Sequence, residues 1–222
     1  LPDIQVLPKL ADYFGISIDE LMGYKLNALT YKEQFVKFML GNGILQIGEF
    51  DLKGGQKKNY YLNSEKFTTN AQIAKIGEYF ADCIRENGIQ YDVIVGLAYH
   101  GIAFSTATSC SLFQKYGVTT DFCFDRKVSD NRGRKICGHT LVDGEKIIIV
   151  DDLITTGKTL CERIDQLKEQ ADIDVVAVIV IANLVNEEAR EKGLGENMLE
   201  ERYGTKVYSI ITDKDINDYM NS

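Results

Sequence analysis

The chain has 222 residues, 45% of them hydrophobic, with 25 Lys and Arg against 33 Asp and Glu for a formal net charge of −8. That length suits one α/β domain with a small appendage, the acidic balance argues against bulk nucleic-acid affinity, and no apolar run approaches the ~20 residues that span a membrane. No secretory signal is evident, two histidines are too few for a His-based metal site, and five scattered cysteines (Cys83, Cys110, Cys123, Cys137, Cys161) without C-x-x-C spacing read as reduced, mostly buried thiols of a cytoplasmic protein.

Residues 1–24 read as two short amphipathic helices. Gly15 ends the first, and Ser17 caps the second with Glu20 three residues on, a capping-box spacing. The run from Leu1 through Pro8, Tyr13-Phe14-Gly15 and Ile18-Asp19-Glu20-Leu21 to Gly23 resembles the last two helices of phage-repressor-type helix-turn-helix domains. The recognition helix that would precede them is not in this sequence, so the piece is not expected to read bases by itself. Nucleic-acid binding would need a complete upstream helix-turn-helix; a packing or dimer-forming appendage is the competing reading.

After a linker at 25–30, a helix is expected over 31–40, with Phe35, Val36 and Met39 at helical spacing. Residues 50–63 read as a hairpin with a Gly-rich, basic turn, on which Lys57 and Lys58 are expected to be solvated. A helix over 71–83 and a buried strand over 92–95 follow, then a turn at 96–101 into a helix reaching about 114. A strand over 119–125 leads into 126–135, a polar stretch without periodicity and so an expected mobile loop. Ile147-Ile148-Ile149-Val150 needs cover on both faces, which suits a central strand of a parallel sheet. A helix over 160–167, a strand over 175–181, a helix over 187–202 and a short strand over 207–211 complete the pattern. Alternating strands and helices imply a mostly parallel sheet with helices on both faces. In such sheets ligands sit beyond the carboxyl ends of the strands, the edge that the turns at 96–101, 126–135 and 151–159 share.

The chemistry concentrates at Asp151-Asp152-Leu153-Ile154-Thr155-Thr156-Gly157-Lys158-Thr159. A strand that runs through a hydroxyl- and Gly-bearing turn into a helix start cradles a phosphate with backbone N–H groups, Thr hydroxyls and the helix dipole. Two acids beside it suit sugar hydroxyls or a divalent cation, so the implied ligand has both a phosphate and a ribose. Gly157-Lys158-Thr159 is not the end of a nucleotide-triphosphatase P-loop, because that pattern needs a Gly five positions before Gly157, where Asp152 stands. The competing reading is an ordinary turn with solvated strand-end acids.

The complete run, four apolar residues, two acids and Thr-Thr-Gly-Lys-Thr, resembles the phosphoribosyl pyrophosphate (PRPP) signature of type I phosphoribosyltransferases. Across 31–165 the resemblance narrows to the orotate phosphoribosyltransferases. It rests on Gly48-Glu49-Phe50-Asp51-Leu52-Lys53-Gly54-Gly55, Tyr60-Tyr61-Leu62-Asn63, Tyr99-His100-Gly101-Ile102 and Phe124-Asp125-Arg126-Lys127. It implies the type I fold, with a hood over about 31–65 and a PRPP-binding core over about 66–222, so that 25–222 form one domain after the appendage at 1–24. It implies transfer of phosphoribosyl from PRPP to orotate, giving orotidine 5′-monophosphate and pyrophosphate. It also implies Mg²⁺ held mainly by substrate and water with no ligand directly from the protein, and a homodimer whose mobile loops close over shared sites.

By the same resemblance Asp151 and Asp152 hold the ribose hydroxyls, and Thr155, Thr156, Gly157, Lys158 and Thr159 take the 5′-phosphate. Tyr99, His100 and Gly101 grip the pyrophosphate together with Arg126 and Lys127. Lys53 meets the base by charge and Tyr61, with Tyr60, by stacking; each tyrosine could equally be a hairpin packing residue. Three departures stand out. Asp130-Asn131-Arg132-Gly133 replaces the family's Lys-Asp-His-Gly, so positive charge on the lid would have to come from Arg132, Arg134 and Lys135. His100 stands where the family usually has Lys. After the strand at 175–181 the sequence is Ala182-Asn183-Leu184-Val185 where the family places an Arg for the orotate carboxylate, and no Arg comes before Arg190. Two other readings therefore stay open: transfer to another base, or a catalytically weak PRPP-sensing regulator.

Overall fold

The computed structural model describes residues 6–14, 18–22, 30–51, 57–131 and 133–221. Two short helices come first, α1 (Leu7–Phe14) and α2 (Ile18–Leu21); Gly15, Ser17 and the side chain of Glu20 lie outside the described residues. Helix α3 (Tyr31–Gly41) starts on a capping box, in which the Thr30 hydroxyl accepts from the Glu33 N–H and the Glu33 carboxylate accepts from the Thr30 N–H at 2.6 Å. Strands β1 (Leu45–Asp51) and β2 (Lys57–Leu62) pair antiparallel. The first strand starts at Leu45, earlier than the sequence pattern indicates, because an irregularity between Ile47 and Phe50 breaks its alternation. The Gly-rich turn with Lys53 lies outside the described residues.

Helix α4 (Asn70–Glu86), capped by Thr69 and Gln72, leads to β3 (Val93–Gly96), α5 (His100–Tyr116), β4 (Asp121–Asp125) and β5 (Ile136–Gly138). Then come β6 (Lys146–Ile154), α6 (Lys158–Lys168), β7 (Asp174–Asn183), α7 (Glu187–Glu191), α8 (Glu196–Tyr203), β8 (Lys206–Thr212) and α9 (Asp213–Met220). The sheet order is β5-β4-β3-β6-β7-β8. Its pairings are parallel except for the edge strand β5, which runs antiparallel to β4. The expected fold class holds.

Strand β6 lies between β3 and β7, and Ile147 through Val150 are fully buried, as four branched residues in a row require. Alternation along the strands divides the interior in two. Ile94, Ile148, Val150 and Ile179 face one core with α4 and α5, while Val95, Ile147, Ile149 and Val178 face the other with α6. Phe35, Met39, Leu45 and Tyr60 of the hood belong to the first of these cores. The hood is thus packed onto the sheet rather than hinged to it.

Three elements differ from expectation. The helix expected over 187–202 is two helices, because Gly193 and Gly195 take φ of +66° and +76°, which an L side chain resists. Residues 126–131 and 133–135 pair as a stem leading into β5, with Arg126 N–H donating to Lys135 O (2.8 Å) and Asp130 N–H to Arg134 O (3.0 Å). Helix α9 follows directly on β8, started by a capping box of Thr212 and Asp215. Among the described residues no helix is long and apolar enough to cross a membrane.

Candidate active site

The carboxyl edge of the sheet is assembled by close backbone approach. A Cβ on Gly96 would lie 2.1 Å from Gly101 O, and one on Gly101 would lie 2.5 Å from Val150 O. Only glycine lets the first turn of α5 press onto β3 and β6 in this way. That contact sets Tyr99 and His100 beside the tip of β6. The turn before them is held by Asp125, whose carboxylate accepts from the Ala98 N–H at 2.6 Å and lies 2.6 Å from Arg163 Nη2.

Asp151 and Asp152 end the buried part of β6. His100 Nδ1 is 3.3 Å from Asp152 Oδ2, and its Nε2 is 3.9 Å from Glu65 Oε1. The hydrogen bond to Asp152 outweighs burial and raises the His100 pKa above its ordinary value. Burial also works against the charge on Asp152, but hydrogen bonds from His100 and Ser64 win and hold it below the usual carboxylate range. Asp151 moves the other way: burial first, then the adjacent Asp152 charge, push it well up. These groups, with Tyr99 and Lys127, line a cleft of about 480 Å³. Lys127 Nζ stands 4.3 Å from the centroid of the Tyr99 ring.

The turn after β6 exposes Thr155 and Thr156 and then buries Gly157. Gly157 is the N-cap of α6 at φ +75° and no side chain caps the helix, so its first N–H groups remain open to an anion. The turn is braced from behind, since Gly195 N–H donates to Thr156 O at 2.9 Å and a Cβ on Gly157 would lie 2.8 Å from Gly195 O. Lys158 and Thr159 are exposed on the first turn of α6. A second cleft, about 260 Å³, opens between this turn and the hood; Tyr61, Leu62, Leu153 and Leu184 give it apolar walls, with Lys58 and Asn186 among its polar groups.

The structure therefore brings Tyr99, His100, Lys127, Asp151 and Asp152 together in one cleft, and Thr155 and Thr156 with Tyr60 and Tyr61 in the other. Gly101 lies under the first at the start of α5, and Gly157, Lys158 and Thr159 follow the second at the start of α6. Tyr60 is buried in the hood core, its hydroxyl donating to Asp213, whereas Tyr61 is 40% exposed with its ring against Phe50. Three of the cations expected at the site face elsewhere: Arg126, expected on the pyrophosphate, bonds Cys137, and of the expected lid cations Arg134 Nε donates to Asp130 at 2.8 Å and Lys135 lies 3.5 Å from Glu169. Lys53 and Arg132 fall outside the described residues. Lys58, expected in solvent, has a side chain only 19% exposed and lines the second cleft, because it is drawn inward by Asp213 at 2.6 Å. Sequence reading singled out neither Ser64, Glu65 nor Arg163 and gave Asp125 no role of its own, because the partner of each is distant in the chain.

Among the described residues no three His, Cys, Asp or Glu side chains come together as a metal site. The adjacent carboxylates Asp151 and Asp152 are hard oxygen donors of the kind that suits a divalent cation.

Fold and site together are those of an α/β protein that binds a phosphorylated ribose at the switch edge of its sheet. Residues 64–205 match the family model for the phosphoribosyl transferase domain. The chain is 35% identical over 198 residues to the orotate phosphoribosyltransferase of Clostridium botulinum (strain Alaska E43 / Type E3), covering 86% of each chain. It is 36% identical over 198 residues to that of Mannheimia succiniciproducens, covering 86% of this chain and 87% of the other. The crystal structure of orotate phosphoribosyltransferase from Francisella tularensis superposes with a TM-score of 0.73 at 28% identity, covering 84% of this chain and 86% of that one. The chain belongs to the orotate phosphoribosyltransferases.

Proposed function

We propose that the chain transfers the phosphoribosyl group of PRPP to a ring nitrogen of orotate, releasing pyrophosphate and orotidine 5′-monophosphate. One observation carries this reading: the end of β6 and the turn after it line both clefts, Asp151 and Asp152 the polar one and Leu153, Thr155 and Thr156 the apolar one. A ribose held by the two acids would have its leaving group on one side and its acceptor on the other. The C1–O bond breaks with its electron pair going to pyrophosphate, and the nitrogen lone pair forms the new C1–N bond as the nitrogen loses its proton. Alignment, leaving-group charge stabilisation and exclusion of water are the needed contributions.

In this reading Asp151 and Asp152 take the ribose hydroxyls, and the 5′-phosphate sits on Thr155, Thr156, Gly157, Lys158 and Thr159. Tyr99, His100, Gly101 and Lys127 receive the pyrophosphate. Arg126, Arg132, Arg134 and Lys135 belong to a lid that turns inward only when substrate is present. Lys53 and Tyr61 meet the base, with Tyr60 holding the hood wall. The proposed cofactor is Mg²⁺, held mainly by substrate and water rather than by protein side chains; when bound it would supply positive charge against the leaving group. The working form is a homodimer whose mobile loops close over shared sites; Phe113, 63% exposed on α5, supports an apolar contact on that helix. Five free thiols fit a reducing, cytoplasmic setting. The helices at 1–24 form an appendage to which no base-reading role is assigned.

The test is pyrophosphate release from PRPP and Mg²⁺ with orotate, uracil and purine bases offered separately. Turnover with orotate supports the reading. Turnover only with another base, or PRPP binding without turnover on any, overturns it.

A further inference from the structure

A carboxylate-bearing acceptor needs a cationic or multiply donating partner, and the position after β7 does not supply one. Leu184 lines the apolar cleft, and Val185 is 1% exposed, wedged against Gly195 so that a Cβ there would meet Val185 Cγ2 at 2.5 Å. No longer or charged side chain fits at Val185 without displacing the brace of the phosphate turn. The opposite wall of the same cleft answers this lack. Among the described residues, Lys58 is the one charged side chain lining it.

Lys58 is not a loose surface lysine. Its Nζ donates to Asp213 Oδ1 at 2.6 Å and to the Tyr60 hydroxyl at 3.0 Å. Asp213 is itself fixed, since Tyr60 donates to the same oxygen and Asn217 Nδ2 donates to Oδ2 at 3.0 Å. An ammonium carries three N–H donors; one goes to Asp213 of α9 and one to Tyr60 of the hood, and among the described residues no third hydrogen bond from it is made. The third donor belongs to a side chain bordering a cleft walled by Tyr61 and Leu184, the surfaces a flat base would lie between.

We infer that Lys58 is the residue that selects a carboxylate-bearing pyrimidine, its remaining N–H binding the acceptor carboxylate in place of an arginine after β7. The inference rests on the proposed transfer to orotate. Asp213 neutralises much of the lysine charge, so Lys58 contributes a directed, charge-assisted hydrogen bond rather than a net positive field. It therefore discriminates between bases with and without the carboxylate more than it raises the affinity for every anion.

The experiment is steady-state kinetics of the full chain and its Lys58→Met, Lys58→Gln and Lys58→Arg variants, with PRPP, Mg²⁺ and either orotate or uracil. Lys58→Met is expected to raise the orotate KM about tenfold or more, the loss of one charge-assisted hydrogen bond. The PRPP KM should stay within about twofold, and the preference for orotate over uracil should fall in step with the orotate KM. Lys58→Gln keeps an amide donor toward Asp213 and guards against misfolding of the Met variant; with the ammonium charge gone it should raise the orotate KM in the same direction and by less. Lys58→Arg should recover most of the orotate preference. An orotate KM unchanged in both neutral variants, or an equal loss for orotate and PRPP, overturns the inference while orotate turnover by the unaltered chain still stands. Absence of orotate turnover in the unaltered chain overturns the proposed function and this inference with it.

Discussion

His100 and Asp152 face each other across the polar cleft, Nδ1 to Oδ2 at 3.3 Å, and each stabilises the charged form of the other. The histidine pKa is raised from 6.5, so its positive charge persists to higher pH than in an exposed histidine. Its contribution to stability and to pyrophosphate binding is full below the ordinary value and is lost as pH rises through the raised one. Replacing Asp152 by Asn removes the largest raising cause and leaves burial, which lowers the pKa, against the smaller raising pull of Glu65 and Asp151. Proton NMR titration of His100 should therefore show a lower midpoint in Asp152→Asn than in the unaltered chain. PRPP affinity should decline over the same pH range in which His100 loses its proton.

Gly157 should not tolerate a side chain. At φ +75° a Cβ costs roughly 1–2 kcal/mol by local sterics alone, and its contact with Gly195 O at 2.8 Å adds to that. Gly157→Ala is expected to weaken PRPP binding about tenfold or more, measured by calorimetry, while far-UV circular dichroism remains close to that of the parent.

Arg163 supports the site from outside it. Its guanidinium lies beside Asp125, and Asp125 in turn holds the Ala98 N–H. Burial already pushes the Asp125 pKa up, against the pull of Ala98 and Arg163. Arg163→Met leaves that carboxylate buried without its partner, which costs about 3–5 kcal/mol and lowers Tm by roughly 6–20 °C for a chain of this size. The sign with pH is definite. The destabilisation is largest where Asp125 must be charged, and the variant should regain stability as pH falls through the raised Asp125 pKa. Thermal melting across pH checks both points.

Helix α9 ties the hood down through Lys32–Asp215 at 2.8 Å and Lys58–Asp213 at 2.6 Å. Asp215 also completes the capping box of α9. Asp215→Ala should cost about 1–3 kcal/mol, mostly through the hydrogen bonds its carboxylate accepts from the Thr212 N–H and hydroxyl, because Lys32 is half-exposed and its ion pair is worth little. A chemical denaturation midpoint measures this.

Much of the frame was legible because single local patterns dictate it. Four branched residues, Ile147 to Val150, can only be covered on both faces, and Asp151 to Thr159 names its own chemistry. What escaped depended on tertiary context. Gly193 and Gly195 split a stretch with ordinary helical periodicity, because the break is needed to brace Thr156. Strand β5 has three residues and exists only by pairing with β4. Lys58 is indistinguishable in sequence from its exposed neighbour Lys57, and only Asp213, far along the chain, draws it inward.

The most direct test of the account is a calorimetric titration of PRPP, with Mg²⁺ present, into the unaltered chain and into the Asp151→Asn, Asp152→Asn double variant. Saturable binding by the first, weakened about a hundredfold or more in the second through loss of two sets of ribose hydrogen bonds, is the predicted result. Equal binding by both, or no binding by the unaltered chain, would contradict it.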